Sequence, residues 1–116
     1  MFMKKTTLCF LQHGGKVLLA LKKRGFGAGK WNGVGGKVLA DETVVSAAMR
    51  EAHEEIGVWI KEENLEKRAV LRFVFPEEPS WNQECHVFVA RQWQGRSRES
   101  DEMRPRWFAF DRLPFD

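Results

Sequence analysis

Residues 5–12 and 16–22 are apolar, β-rich runs on either side of His13-Gly14-Gly15, a pattern that predicts two strands joined by a hairpin turn. Arg24 to Gly36 follows with six glycines in thirteen residues, too many for a regular element, and is expected to form a shaped loop. From Val44 to Ile56 the apolar positions 45, 48, 49, 52 and 56 recur at helical spacing. Asp41 or Thr43 can cap the start of that helix, and Gly57 can end it in a left-handed turn. Residues 69–75, 85–93 and 106–110 read as three further strands, separated by Pro76 and Pro79 and by the polar stretch Gly95 to Glu102. No repeat or linker interrupts this order. The expectation is one domain over residues 1–116, of α/β class, with a mixed sheet covered by helix.

Composition narrows the class. A chain of 116 residues builds one core rather than two, and 43% apolar residues with nine Phe and five Trp exclude a disordered or low-complexity chain. Cys9 and Cys85 both lie in apolar runs, so they make neither a disulfide framework nor a zinc site and are expected as buried free thiols in a reducing compartment. The apolar stretch Thr6 to Leu11 after Lys4 and Lys5 is too short for a signal peptide, and no run approaches membrane-spanning length. A cytoplasmic protein without a membrane is expected.

The net charge of +3 hides a strong asymmetry. Residues 1–40 hold eight Lys/Arg and no acid, whereas residues 41–66 hold eight Asp/Glu against only Arg50 and Lys61. A basic segment alone would point to nucleic acid. Dense carboxylates beside it repel a phosphate backbone unless divalent cations intervene, so a small polyphosphate suits the pattern better than a nucleic acid.

On the predicted helix, Glu51, Glu54 and Glu55 fall within about a 100° arc, separate from the apolar face. Like charges at this spacing weaken an isolated helix by a few tenths of a kcal/mol per pair. A hard divalent cation would offset that, because Mg²⁺ takes near-octahedral oxygen ligands from a few carboxylates, water and substrate phosphates. Ala47 and Ala48 lie near the stripe and are expected to leave room for a ligand. The competing reading is an ordinary solvated acidic face. His53-Glu54-Glu55-Ile56-Gly57 begins like a zinc-protease helix but has Gly57 where the second histidine belongs. Gly36-Lys37-Val38 lacks the remainder of a Walker loop, and Gly25-Phe26-Gly27 is followed by Lys30 where a dinucleotide fingerprint needs glycine.

Taken together, Gly36, Glu42 and Arg50-Glu51-Ala52-His53-Glu54-Glu55-Ile56-Gly57-Val58 resemble the Nudix box, G-x5-E-x7-R-E-U-x-E-E-x-G-U. All seven specified polar or glycine positions are filled across residues 36–58, and only the first apolar slot is small, as Ala52. The segments Lys22 to Gly33 and Glu99 to Pro105 extend the likeness to MutT-like Nudix enzymes of the oxidised purine nucleoside triphosphatase type, from about Thr7 to Phe115. The fold this implies is a Nudix α/β/α sandwich around a mixed β-sheet.

The resemblance also implies roles. Glu51, Glu54 and Glu55 would hold Mg²⁺, or Mn²⁺ in its place, with the backbone carbonyl of Gly35 or Gly36 and with Glu102 from a later loop. Glu54 is the first choice to activate water and Glu102 the second. Glu42 and Arg50 would form a structural pair orienting the helix. Thr7, Lys22 and Asn32 would line the substrate pocket, with Phe26 and Phe73 flanking it; Asn32 can offer both a donor and an acceptor to a purine edge. Phe73 reads equally as core, Trp31 as loop packing, and His53 and His86 as structural.

The implied reaction is Mg²⁺-dependent hydrolysis of a nucleoside triphosphate to nucleoside monophosphate and pyrophosphate, with oxidised purines such as 8-oxo-dGTP as substrates. The alternatives are hydrolysis of another nucleoside diphosphate derivative, or a weakly catalytic nucleotide- or RNA-binding module. The resembled enzymes continue past the equivalent of Phe115 into a base-reading segment and a C-terminal helix. That helix is expected to be missing here, and the sheet face it would leave bare suggests a homodimer.

Overall fold

The computed structural model describes residues 3–25 and 27–115. Strands β1 (Lys4–His13) and β2 (Lys16–Lys22) turn at Gly14-Gly15 as the pattern predicts, yet they pair only from Leu11↔Leu18 to His13↔Lys16. Beyond those rungs they splay, and residues 31–38 fill the opening. Trp31–Asn32 forms a short strand, β3, paired with Ala20 and Leu21 of β2. Val34 and Cys9 exchange backbone hydrogen bonds at 2.6 and 3.0 Å, Thr7 donates to Gly36 O at 2.8 Å, and Val38 donates to Lys5 O at 2.9 Å. The glycine-rich segment therefore does contain a regular element, contrary to its composition, because strand pairing on both sides holds it extended.

Helix α1 (Val44–Ile56) has the predicted bounds. Thr43 caps it, accepting from Ser46 N at 3.0 Å while Thr43 N donates to Ser46 Oγ at 3.1 Å. Gly57, at φ 77°, ends it and donates to His53 O at 2.9 Å. A reciprocal cap of this kind is worth about 1 kcal/mol.

The remaining strands are β4 (Leu65–Phe73), β5 (Gln83–Ala90) and β6 (Met103–Ala109). β4 begins four residues earlier than its apolar run and stops before Val74, because pairing with β5 carries Glu66 and Lys67 into the ladder, with Arg68 at a bulge before Ala69. β5 likewise starts at Gln83 and ends at Ala90, and β6 starts at Met103 rather than at 106. β1 runs parallel to β5, while β4 against β5 and β6 against β2 are antiparallel, so one mixed sheet results. Its long strands lie in the order β6, β2, β1, β5, β4, with β3 wedged between β2 and β1.

Helix α1 covers one face, where Ala48, Ala52 and Ile56 meet Cys9, Leu11, Leu18, Ala20, Phe88 and Ala90, and where Val34, Val58, Ile60 and Met103 close the core. Each fully buried large side chain such as Phe88 or Ile56 contributes roughly 1.5–3 kcal/mol of transfer free energy. Ala47 and Ala48 are 0% and 1% exposed, which corrects the expectation that they leave room for a ligand: their small size lets the helix approach the sheet. Cys9 and Cys85 are buried free thiols, as expected. Burial pushes the Cys9 thiol up to about 12, which keeps it protonated and inert. Among the described residues no helix is long and apolar enough to cross a membrane.

Candidate active site

The wedge of residues 31–38 brings the glycine loop against the glutamate stripe. Gly35 N donates to Glu55 Oε1 at 2.8 Å. At Gly36 an added Cβ would sit 2.6 Å from Glu51 Oε2, and at Gly35 it would run into the Thr7 carbonyl. Two consecutive glycines are therefore required because α1 and β1 press on the loop from different sides.

The three glutamates are not equivalent. Glu55, read from the sequence as part of an exposed stripe, is only 8% exposed. Burial is the main cause that pushes its carboxyl up to about 7; the Gly35 N–H and Lys22 oppose the rise, whereas Glu51 and Glu102 add to it. Glu51 is raised too, chiefly by burial, with Arg50 working against it. The Glu54 side chain stands at the surface, 57% exposed.

Arg50 organises this corner. Its Nε and Nη2 bond Glu42 Oε2 and Oε1 at 2.6 and 2.9 Å, and Nη2 also reaches Lys37 O at 3.1 Å. Its Nη1 bonds Glu51 Oε1 and, at 3.1 Å, Glu54 Oε2. Glu42 accepts from Leu39 N at 2.9 Å, and the Arg50 bond with this N–H holds the Glu42 carboxyl down at about 2. The resemblance paired Glu42 with Arg50; in the fold Arg50 additionally grips two acids of the stripe.

Two adjoining cavities of about 290 and 300 Å³ open beside the stripe and meet at Leu8, Asn32 and Gly35. The first is lined by Thr7, Gly36 and Phe73 together with Thr6, Lys37, Gln83 and Cys85. The second is lined by Lys22, Lys30, Gly33 and Met103 among others. Phe73 is 43% exposed at this cleft rather than buried in the core. Asn32 Oδ1 accepts from Gly33 N at 2.8 Å, which leaves its amide N–H groups for a ligand. Thr7 also lines the cleft, but it is only 2% exposed and its hydroxyl is buried without a hydrogen-bond partner. Phe26 lies outside the described residues.

Glu102 comes from the loop before β6, where Lys22 pairs with Met103. It bonds Arg24 Nε and Nη2 at 3.1 and 2.7 Å, and that pair holds its carboxyl below the ordinary range. Among the described residues no three His, Cys, Asp or Glu side chains converge closely enough to hold a metal ion. The four acids thus share a neighbourhood with arginines interposed. Sequence reasoning missed Thr6, Lys30, Gln83 and Cys85 at the cleft and both arginine contacts to site acids. Strand register and loop wrapping bring these together, and neither leaves a local signal. Trp31, read as loop packing, lies instead in β3 and packs edge-on against Phe108 at 5.1 Å, while His53 stacks on Trp59 at 3.5 Å and His86 Nε2 bonds Glu84 Oε1 at 2.8 Å.

Comparison with known proteins agrees with this geometry. The model of the NUDIX domain matches residues 2–116. The oxidized purine nucleoside triphosphate hydrolase of Danio rerio is 47% identical over 112 residues, covering 97% of this chain and 70% of that protein. The Mus musculus protein of the same description is 44% identical over 109 residues, covering 94% and 68% respectively. Among solved structures, a MutT NUDIX hydrolase from Burkholderia pseudomallei superposes with a TM-score of 0.87 at 28% identity, over 100% of this chain and 90% of that one.

Proposed function

The chain belongs to the Nudix family of hydrolases, and from that premise we propose that it hydrolyses purine nucleoside triphosphates, oxidised ones such as 8-oxo-dGTP included, to nucleoside monophosphate and pyrophosphate. The observation that carries this reading is the contact of the Gly35-Gly36 loop with Glu55 and Glu51 at the mouth of a cleft whose walls bear Lys22, Lys30 and Lys37. Acids for a cation and ammonium groups for phosphate stand side by side.

The donor set suits a hard divalent cation in its chemistry, and Glu51, Glu54 and Glu102 would have to leave their arginine partners to converge on one. It offers oxygen only, and Glu55 is a buried carboxylate compensated by one backbone N–H, so it gains from a cation more than a solvated acid would. Glu51, Glu54, Glu55 and Glu102, with a carbonyl of Gly35 or Gly36, would hold Mg²⁺ or Mn²⁺. Bound there, such a cation would supply charge neutralisation of phosphate oxygens and of the pyrophosphate leaving group. Glu54 is the acid we assign to take the proton from the attacking water; it is the stripe's one surface-exposed carboxylate and can reach a solvent molecule. Lys22 and Lys30 would steer and hold the phosphate chain. Asn32 would donate to the base while Phe73 provides an apolar face for its ring.

Product analysis over a panel of normal and oxidised nucleoside triphosphates with Mg²⁺ tests the proposal. Monophosphate and pyrophosphate in equal amounts are expected. Orthophosphate as product, or binding without turnover across the panel, would overturn it; the second outcome, with steep salt dependence on long RNA, would favour a binding module instead.

A further inference from the structure

We propose that Arg24 is a positioning residue for Glu102: it holds this carboxylate away from the cation site in the nucleotide-free protein and exchanges it for the phosphate chain when substrate binds. The inference rests on the reading of Glu102 as a cation ligand. The loops on either side are tied three times. Lys23 N donates to Glu102 O at 2.9 Å, Lys23 Nζ pairs with Glu99, and Arg24 takes one Glu102 oxygen with both Nε and Nη2. The first tie holds the Glu102 backbone beside Lys22 and Met103 of the cleft, the second anchors the preceding loop at Glu99, and the third decides only where the Glu102 carboxylate points.

The surroundings make an exchange of partners feasible. Arg24 directly follows Lys22 and Lys23, and Lys22 lines the cleft beside Lys30. The buried Glu55 feels the charges of both Lys22 and Glu102, so Arg24, Glu102 and the glutamate stripe share one electrostatic neighbourhood. The Arg24 and Glu102 side chains are 65% and 51% exposed, and an ion pair so exposed is weak enough to be broken by a competing ligand. A triphosphate offers the guanidinium a more highly charged, bidentate partner. The released carboxylate then finds a cation. Both charges stay compensated throughout, so the exchange needs no uncompensated intermediate state. The consequence is coupling: nucleotide strengthens the cation site, and by linkage the cation strengthens nucleotide binding.

Mn²⁺ titrations followed by electron paramagnetic resonance test this on wild type, Arg24→Ala, Arg24→Lys, Glu102→Gln and the Arg24→Ala/Glu102→Gln double variant. Each is measured alone and with a non-hydrolysable α,β-imido deoxyguanosine triphosphate. Without nucleotide, Arg24→Ala should bind Mn²⁺ about three- to fivefold more tightly than wild type, as loss of one exposed pair allows, with Arg24→Lys close to wild type. The gain should vanish in the Glu102→Gln background and when the analogue is present. In turnover, Arg24→Ala should raise KM with little change in kcat. Unchanged Mn²⁺ affinity in Arg24→Ala, with weakened affinity in Glu102→Gln, would overturn the exchange while leaving Glu102 as a ligand. With the analogue present, unchanged affinity in Glu102→Gln would overturn the ligand reading and the exchange with it.

Discussion

Gly35 donates its backbone N–H to Oε1 of Glu55 at 2.8 Å, and this bond joins the lining of the cleft to the buried acid of the helix. The loop therefore cannot shift without disturbing the carboxylate, and the carboxylate cannot titrate without affecting the loop.

Glu55 sets a pH dependence of stability. Its carboxyl titrates near 7 in the fold against about 4.5 in the unfolded chain, so between those values the native state holds a proton the unfolded state has lost. Stability of the cation-free protein should accordingly fall as pH rises through this window. Glu55→Gln should flatten the profile and exceed wild type by on the order of 2–3 kcal/mol at about pH 9. Thermal unfolding with chelator across pH checks this, and added Mg²⁺ should recover stability in wild type only.

The two loop glycines should respond differently to alanine. At Gly35 the new methyl meets the Thr7 backbone, which cannot yield, so Gly35→Ala should cost about 3 kcal/mol or more. At Gly36 it meets the end of the Glu51 side chain, which can swing away. Gly36→Ala should therefore cost under about 1 kcal/mol yet lower turnover by about tenfold or more through a displaced ligand. Urea unfolding and pyrophosphate release, measured together, separate the two.

Arg50→Ala should destabilise the fold by about 2–3 kcal/mol, because it leaves Glu42 and Glu51 partly buried without their cation. Arg50→Lys should recover less than half, since an ammonium cannot span both Glu42 oxygens. The Glu42 carboxyl, lowered to about 2, makes its full contribution above the unfolded value of about 4.5 and loses it progressively as pH falls from there to about 2. Acid destabilisation of wild type should therefore be steepest within that window, and a Glu42→Gln chain with a shallower slope there would confirm the source.

Glu54→Gln should abolish pyrophosphate release, by about a hundredfold or more, while leaving far-UV circular dichroism and the unfolding midpoint unchanged. The side chain is exposed and pairs with Arg50 one helical turn away. Retained turnover would remove Glu54 as the acid that activates water.

Much of this was legible in one dimension. The helix from Val44 to Ile56 was readable because apolar spacing, the Thr43 cap and the Gly57 stop are all local signals. The hairpin at Gly14-Gly15 was readable for the same reason. The short strand at Trp31–Asn32 was not: six neighbouring glycines say loop, and only pairing with Ala20 and Leu21 makes it a strand. β4 began early because Glu66 and Lys67 have little strand propensity of their own and are held by pairing with Val89 and Phe88 of β5.

The chain by itself determined which residue types stand at which spacing: a glycine pair, an arginine and three acids on a helix, and a later Glu102, all fixed by covalent order and the 3.6-residue turn. The folded structure alone decided what each of them faces. Glu55 is buried and Glu54 exposed although both lie on one stripe, because the wedge of residues 31–38 presses on one side of it. Phe73, Gln83 and Asn32 share a cleft because strand register brings together positions far apart in sequence. Burial and charge environment depend on distances through space, and local periodicity carries no information about those.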